Sequence, residues 1–279
     1  MSTADGSRAA GAPGRDPAIP LAIGWRAGLS GLGWLARREC LRVYKVWTQT
    51  VLAPVVASIL FIVVFGLSLG SRIREIDGHD YQLFIVPGLI AMAMVQAAYN
   101  NTSSSVFQAR QDRYINDLLS APMHPWQLNL GYTVGGVVRA LAIGVSLAAL
   151  ALPVTGIRIE QPLVLAAAVV LGVVIFSALG TIVGIFADTF DNHTFVSNIV
   201  ILPLVFLGGV FYSIESLPSP WQELTHFNPL FYLVNAIRYG FLGTSDVSVA
   251  LSLGVTAALA VPMYAWAQWL FMSGRRLKA

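Results

Sequence analysis

The sequence predicts an all-α integral membrane protein with six transmembrane helices. An interfacial helix precedes the first span, a polar cytoplasmic helix separates the second from the third, and a re-entrant helical segment precedes the last. Three observations carry this fold class. Of the 279 residues, 56% are hydrophobic and only 11% are charged, against roughly 25% charged in soluble domains. Several apolar runs reach the roughly 18 residues that mark a membrane-spanning helix. The runs are continuous, unlike the alternating segments of about ten residues that build a membrane barrel.

Residues 1–30 open with "MSTADGSRAAGAPGRDPAIP", rich in Ala, Gly, Pro and polar side chains. They lack the contiguous apolar core and cleavage site of a signal peptide, and are expected to form a disordered cytoplasmic tail, with a processed transit segment as the other option. Residues 31–279 are expected to form one membrane domain. In its first part, residues 31–47, Leu32, Leu35, Ala36, Cys40, Val43 and Trp47 share a broad face. Arg38, Arg42 and Lys45 lie opposite, the pattern of a helix lying in the membrane interface. Glu39, Leu41 and Tyr44 interrupt that pattern, and a plain cytoplasmic extension of the first span is the simpler option.

The spans are expected at about Thr48–Leu69, Leu83–Ser104, Gly131 or Arg139 to Val154, Pro162–Ala187, Phe195–Phe211 and Val249–Phe271. An even number places both termini on one side. Thirteen of the seventeen Lys and Arg residues fall on that side, leaving Arg72, Arg74, Arg158 and Arg238 on the other. The positive-inside bias therefore puts both termini in the cytoplasm.

Several chemistries find no support. One cysteine, Cys40, excludes an intramolecular disulfide framework. His79, His124, His193 and His226 are scattered over loops on both sides, so neither a metal site nor a catalytic group is expected. "GLSLG", Gly66 to Gly70, matches a nucleophile elbow in letters but ends an apolar helix instead of a strand. Neither lysine, Lys45 or Lys278, stands in a phosphate-binding loop. The chain is thus expected to be no enzyme by itself, to hold no cofactor and to bind no nucleic acid. If transport is ATP-driven, the ATPase is another chain.

Small-residue pairs (Gly66 and Gly70, Gly131 and Gly135, Gly180 and Gly184) are expected to bring helix backbones together. Arg139 lies within an apolar stretch, where a central arginine costs about 2.5 to 3.5 kcal/mol on insertion scales. It is expected to snorkel to the cytoplasmic interface, to pair with Asp188 or Asp191, or to line a cargo path. "QAAYNNTSSS", Gln96 to Ser105, contains Asn100 and Asn101 and reads as an interfacial helix end or as a polar stripe facing a cavity. Residues 212–245 are too apolar for a solvated loop and too broken by proline for a span. There, Asn228 and Pro229 read as N-cap and first-turn proline of a helix through Phe231, Val234, Asn235 and Arg238, stopping at Gly240 or Gly243. Such a segment either dips into the outer leaflet or lies flat on it. Residues 106–127 form the polar island. Phe107, Tyr114, Ile115 and Leu118 share one helical face, with Gln111 among them, while Arg110, Arg113, Asn116, Asp117 and Ser120 populate the other. Pro122 and Pro125 then force a turn. This helix either packs on the membrane domain and offers its polar face to a soluble partner, or simply connects two spans.

The stretches "RYINDLLSAP" (Arg113 to Pro122), "FIVPGLIAMAM", "GGVFYSIESLP" and "NPLFYLVNAIRYGFLG" together resemble the permeases of type-2 ABC transporters, in order and spacing, over nearly all of the chain after Gly31. The resemblance makes residues 31–279 an ABC transmembrane type-2 domain. It implies six spans after a membrane-surface helix, a coupling helix between spans two and three, and re-entrant helices before span six. It further implies a permease dimer, as homodimer or with a paralogue, in which each copy docks on a separate ATP-binding cassette subunit, two in all. ATP and Mg would be bound by that partner, and membrane lipids would surround the complex. Carried onto this chain, Phe107 to Ser120 would be the coupling helix, with Phe107, Arg110, Arg113, Tyr114, Asn116, Asp117 and Leu118 as ATPase-coupling residues. Asn116 departs from the family, in which an acid is frequent, whereas Asp117 remains.

The function expected is that of the permease subunit of an ATP-driven exporter in the inner (cytoplasmic) membrane of a prokaryote. Its candidate cargo path or gate comprises Asn100, Asn101, Phe206, Phe211, Tyr212, Asn228, Phe231 and Tyr232. Their aromatic character favours an amphipathic cargo such as a drug, a lipid or a lipid-linked glycan. The alternatives are an ATP-independent secondary transporter or channel, which an acid at mid-depth of a span would favour, and an intramembrane enzyme acting on lipids.

Overall fold

The computed structural model describes residues 25–68, 75–76, 78–274 and 276–277. Most of the expected tail, Gly70, and the cations Arg8, Arg15, Arg72, Arg74, Arg275 and Lys278 lie outside the described residues. The first helix, α1 (Trp25–Lys45), takes in residues 25–30 that were assigned to the tail. A π-helical turn (Thr48–Leu52) leads into α2 (Ala53–Ser68). A two-residue hairpin, β1 (Glu75–Ile76) against β2 (His79–Asp80), precedes α3 (Tyr81–Gln111). The short α4 (Ile115–Ser120) separates α3 from α5 (Pro125–Thr155), and α6 (Pro162–Phe186) runs back.

A continuous helical run follows, made of α7 (Phe190–Phe195), a π segment (Val196–Ile201) and α8 (Leu202–Phe206). After an irregular stretch come α9 (Ser219–His226), α10 (Pro229–Leu242) and the closing α11 (Val249–Ser273). Both π segments end two residues before a proline, Pro54 and Pro203. Proline offers no amide hydrogen to the carbonyl four residues back, and a slip of the ladder by one residue accommodates that loss.

Among the described residues, five stretches are long and apolar enough to cross a membrane: Thr48–Gly66, Tyr81–Gln111, Pro125–Thr155, Pro162–Phe186 and Val249–Ser273. The second and third helices exceed the expected spans, because no proline interrupts residues 88–111 or 126–152. The expected span at 195–211 corresponds to the run from Phe190 to Phe206, where the helix changes pitch instead of forming one α-helix.

Helix ends follow local chemistry. At α5, the His124 amide donates to Gln127 Oε1 at 2.8 Å, Pro125 fills the first turn, and Gly156 closes the far end in the left-handed conformation. At α10, the Leu230 amide donates to Asn228 Oδ1 at 3.0 Å and Gly243 is the left-handed cap. This start and stop agree with the sequence signals at Asn228, Pro229 and Gly243.

Helix α3 is the hub. It packs on α5, α6, α10 and α2 and is buried over most of its length, whereas few residues of α2 and α11 are buried. Close approach to α6 depends on small residues. A Cβ at Gly180 would lie 2.5 Å from the Tyr99 carbonyl, and one at Gly184 would lie 2.7 Å from that of Ser103. The main core joins Phe84, Ile85 and Leu89 of α3 to Leu233, Val234 and Ile237 of α10. A second cluster, at the end holding α1 and α4, gathers Leu35, Val106, Ile115, Leu128, Tyr132, Ile185, Leu270 and Phe271.

Candidate functional site

The polar island folds as an elbow. Phe107 and Arg110 lie on the last turns of α3, not on a separate helix, so the expected Phe107–Ser120 helix is split. Asp112 caps α3, and Arg113 adopts φ +61° in the left-handed region. That conformation costs a non-glycine residue roughly 1–2 kcal/mol. Ile115 is completely buried in the second cluster, Phe107 is buried, and Tyr114 and Leu118 are half-buried. Arg113, Asn116, Asp117 and Ser120 are exposed, giving α4 a polar outer face. Arg110 departs from expectation. Its guanidinium donates to the carbonyls of Gly184 at 3.2 Å and Ala187 at 2.8 Å, capping the C-terminus of α6, where a cation also meets the negative end of the helix dipole. Gln111, expected on the apolar face, is exposed because the break at Asp112 rotates α4 away from the register of α3.

Behind the elbow sits a buried acid whose role the sequence did not disclose. The Glu39 side chain is fully buried where α1 meets α3 and α5. It pairs with Arg38 at 2.7 Å and Arg42 at 3.2 Å, and accepts a hydrogen bond from Ser105 at 2.8 Å. Arg42 also donates to the Asn101 carbonyl at 2.8 Å and to Ser104 Oγ at 3.3 Å. Arg38 lies over the Tyr114 ring at 4.8 Å and the Tyr132 ring at 5.9 Å. Burial opposes the Arg38 charge, but the hydrogen bond and charge of Glu39 outweigh it and hold the guanidinium protonated. Burial likewise pushes the Tyr114 phenol above its ordinary value, so it stays neutral. Arg38 and Arg42 thus turn toward the bundle, contrary to the expected outward face, because a buried carboxylate must be paired. Trp34, Leu41, Tyr44 and Trp47 instead form the outer, exposed side of α1 and the turn after it.

At the opposite end of α3, Phe206 and Phe211 meet Phe65 and Phe61 of α2. Ring centroids are 5.4 Å apart for Phe206–Phe211, 5.2 Å for Phe65–Phe211 and 5.7 Å for Phe61–Phe65. Phe231 belongs to a separate group, buried and edge-on to His226 and Tyr232. Asn228 is committed to its cap and to the Leu204 carbonyl, at 2.6 Å. Beside these, Arg238 of α10 is almost wholly buried over the Phe84 ring at 3.8 Å, donates to the Gly209 carbonyl and pairs with Asp246 at 3.6 Å. Asp246 accepts from Ser213 Oγ at 3.4 Å, and its amide donates to Asn235 Oδ1 at 2.8 Å. This clasp ties the irregular stretch after α8 to α10 and to the start of α11.

The expected path residues therefore do not converge on one surface. Phe206 and Phe211 stack together, the Phe231 ring meets His226 and Tyr232, the Tyr212 carbonyl and the Phe231 ring flank Gly209, and Asn101 is buried toward α1 and α5. Asn100 alone faces Arg139, across a cavity between α2, α3 and α5. Arg139 pairs with neither Asp188 nor Asp191. Its Nε donates to the Thr50 carbonyl, at 3.2 Å, in the π turn before α2. Sequence signals for the missed groups existed, since Glu39 is an acid on an apolar helix between Arg38 and Arg42, at i−1 and i+3.

The profile of the ABC-2 type transporter family matches residues 31–242. The chain is 40% identical over 242 residues to the inner membrane transport permease YadH of Escherichia coli (strain K12), covering 87% of this chain and 94% of that one. Against nodulation protein J of Rhizobium leguminosarum bv. viciae it is 28% identical over 232 residues, 81% of this chain and 88% of the relative. Against nodulation protein J of Rhizobium meliloti (strain 1021) it is 25% identical over 235 residues, 83% and 90% of the two chains. With a match running from α1 to the end of α10, the chain belongs to the ABC-2 type transporter family.

Proposed function

We propose that the chain is the membrane permease subunit of an ATP-driven exporter. A separate ABC-type ATPase, which would bind ATP and Mg, docks on α4. The observation that carries this reading is the elbow. Its apolar side is anchored by Ile115, while Arg113, Asn116 and Asp117 stand exposed beside a cleft lined by Phe107, Arg110, Gln111, Asp188 and Arg276. The family supplies the need for such a surface, since the sequence has no phosphate-binding loop of its own. Motion of a docked ATPase would reach α1 through Tyr114, Arg38 and Glu39, and α3 through Glu39 and Ser105.

The remaining parts fit the same scheme. The Phe190–Phe206 run serves as the sixth crossing, α1 lies in the interface with Trp34 and Tyr44 outward, and α9 and α10 form the re-entrant cap of residues 212–245. Both termini face the cytoplasm, by the cation bias, in an inner membrane by similarity to the permease YadH. Two permease copies and two ATPases make the complex. The exposed Val56, Leu60, Val63 and Val64 of α2 and the exposed Phe195, Ile199 and Phe206 offer the apolar surface for the second copy, around a path for an amphipathic cargo. Co-expression with the ABC ATPase expected to be encoded beside the gene, followed by affinity purification, tests this. The ATPase is expected to co-purify with wild type and to be lost from Arg113→Glu with Asp117→Lys, which should still insert. Full-rate transport by the purified chain with no ATPase present would refute it.

A further inference from the structure

The cavity between α2, α3 and α5 has a volume of about 160 Å3. That is below the roughly 300–1,000 Å3 of pockets for whole drug-sized molecules, and suits one headgroup with the start of its chain. Its walls are graded. On α3, Leu89, Met92 and Ala93 give way one turn later to Gln96 and then Asn100. Antiparallel α5 contributes Ile143 and, one turn away, Arg139, while α2 contributes Phe61 and Ser58. One end is thus apolar. The other presents Arg139, Gln96, Asn100 and Ser58, with no carboxylate in the lining.

Two features of the polar end are unsettled in the protein alone. Arg139 has no carboxylate within ion-pair distance among the described residues, and its one hydrogen bond is Nε to the Thr50 carbonyl. Gln96 Nε2 is buried without an acceptor. A half-buried cation without a counter-charge and a buried donor without an acceptor are each costly. An anionic oxygen between them would satisfy both, and charge-assisted hydrogen bonds from a guanidinium fork are the strong kind. The same anion would offset the cost of an arginine at this depth.

We infer that Arg139, with Gln96 and Asn100, binds the phosphate headgroup of an amphiphile whose chain lies along Leu89, Met92 and Phe61. This names an anionic amphiphile as the ligand class, and it rests on the permease reading only for its place in transport. Native mass spectrometry of the full chain released from dodecyl maltoside, with no ATPase present, tests it. The probes are dioleoyl phosphatidic acid, dioleoylglycerol with the same chains, and inorganic phosphate. One phosphatidic acid is expected to be retained in preference to dioleoylglycerol. Arg139→Gln is expected to weaken it tenfold or more, about the worth of one charge-assisted hydrogen bond, and Arg139→Lys less. Gln96→Leu serves as a second variant should Arg139→Gln fail to fold, and is expected to weaken retention several-fold with an unchanged unfolding midpoint. Equal retention of dioleoylglycerol, inorganic phosphate binding as tightly as the lipid, or unchanged retention by the variants would overturn the inference. Loss of ATPase docking in the α4 variants would leave this binding intact, so the two proposals fail separately.

Discussion

Replacing Glu39 by Leu removes the one carboxylate that α1 places at the junction of α3 and α5. The side chain is fully buried, whereas its partners Arg38 and Arg42 keep 39% and 29% of their side chains exposed. Stranding a fully buried charge costs about 3–5 kcal/mol. Here both side chains stay partly exposed, Arg38 can still lie against the Tyr114 and Tyr132 rings, and Arg42 keeps the Asn101 carbonyl. The expected loss is therefore smaller, about 2 kcal/mol including the hydrogen bond from Ser105. For a chain of this size that corresponds to a fall of about 4–8 °C in the unfolding midpoint, read by tryptophan fluorescence in detergent. Glu39→Gln, which preserves shape and the Ser105 contact, should lose less. Arg42→Met added to Glu39→Leu should recover part of the loss, because it removes a partly buried cation that has lost its carboxylate. Hydrogen exchange at residues 115–120 should quicken in Glu39→Leu, since Arg38, no longer fixed by Glu39, holds Tyr114 less firmly. A Glu39→Leu protein as stable as wild type, with unchanged exchange in α4, would refute the view that this acid joins α1 to the elbow.

Gly180→Ala should destabilise the bundle by about 1–3 kcal/mol, because its Cβ would press on the Tyr99 carbonyl at 2.5 Å. Gly33→Ala, where nothing lies within 4 Å, should be neutral or raise the midpoint slightly through helix propensity. Arg113→Gly should release about 1 kcal/mol of left-handed strain and raise the midpoint while weakening ATPase co-purification, which separates the residue's backbone role from its charge. Asp246→Ala should cost about 3 kcal/mol or more by stranding buried Arg238, seen as a lowered midpoint and faster proteolysis around residues 207–217.

Hydropathy and capping chemistry made much of the fold legible. The long apolar helices follow from composition, and α10 starts at Asn228 and Pro229 and stops at the second of the two glycines the sequence offers, Gly240 and Gly243. Breaks without Gly or Pro were not legible. Asp112 alone is a weak turn signal beside Arg113 and Tyr114, so the end of α3 and the start of α4 read as one helix. The two π segments were equally hidden, since the prolines after them are compatible with a helix start. Of the candidate site residues, exposed Asn116 and Asp117 fell on the polar face assigned to them, because a two-sided short helix is a local property. Arg110 did not, because its partners at Gly184 and Ala187 are more than seventy residues away. Glu39, Arg238 and Asp246 were missed for the same reason: a buried charge is recognised by its partners, and those are set by tertiary packing.

The claim that α4 docks an ATPase is tested most directly by photocrosslinking from position 116. A benzoylphenylalanine placed there, in membranes containing the co-expressed ABC ATPase, should give a crosslinked product containing that ATPase. The same probe at exposed Val154, at the far end of α5, should give none. No ATPase adduct from position 116, or one of equal yield from position 154, would contradict the account.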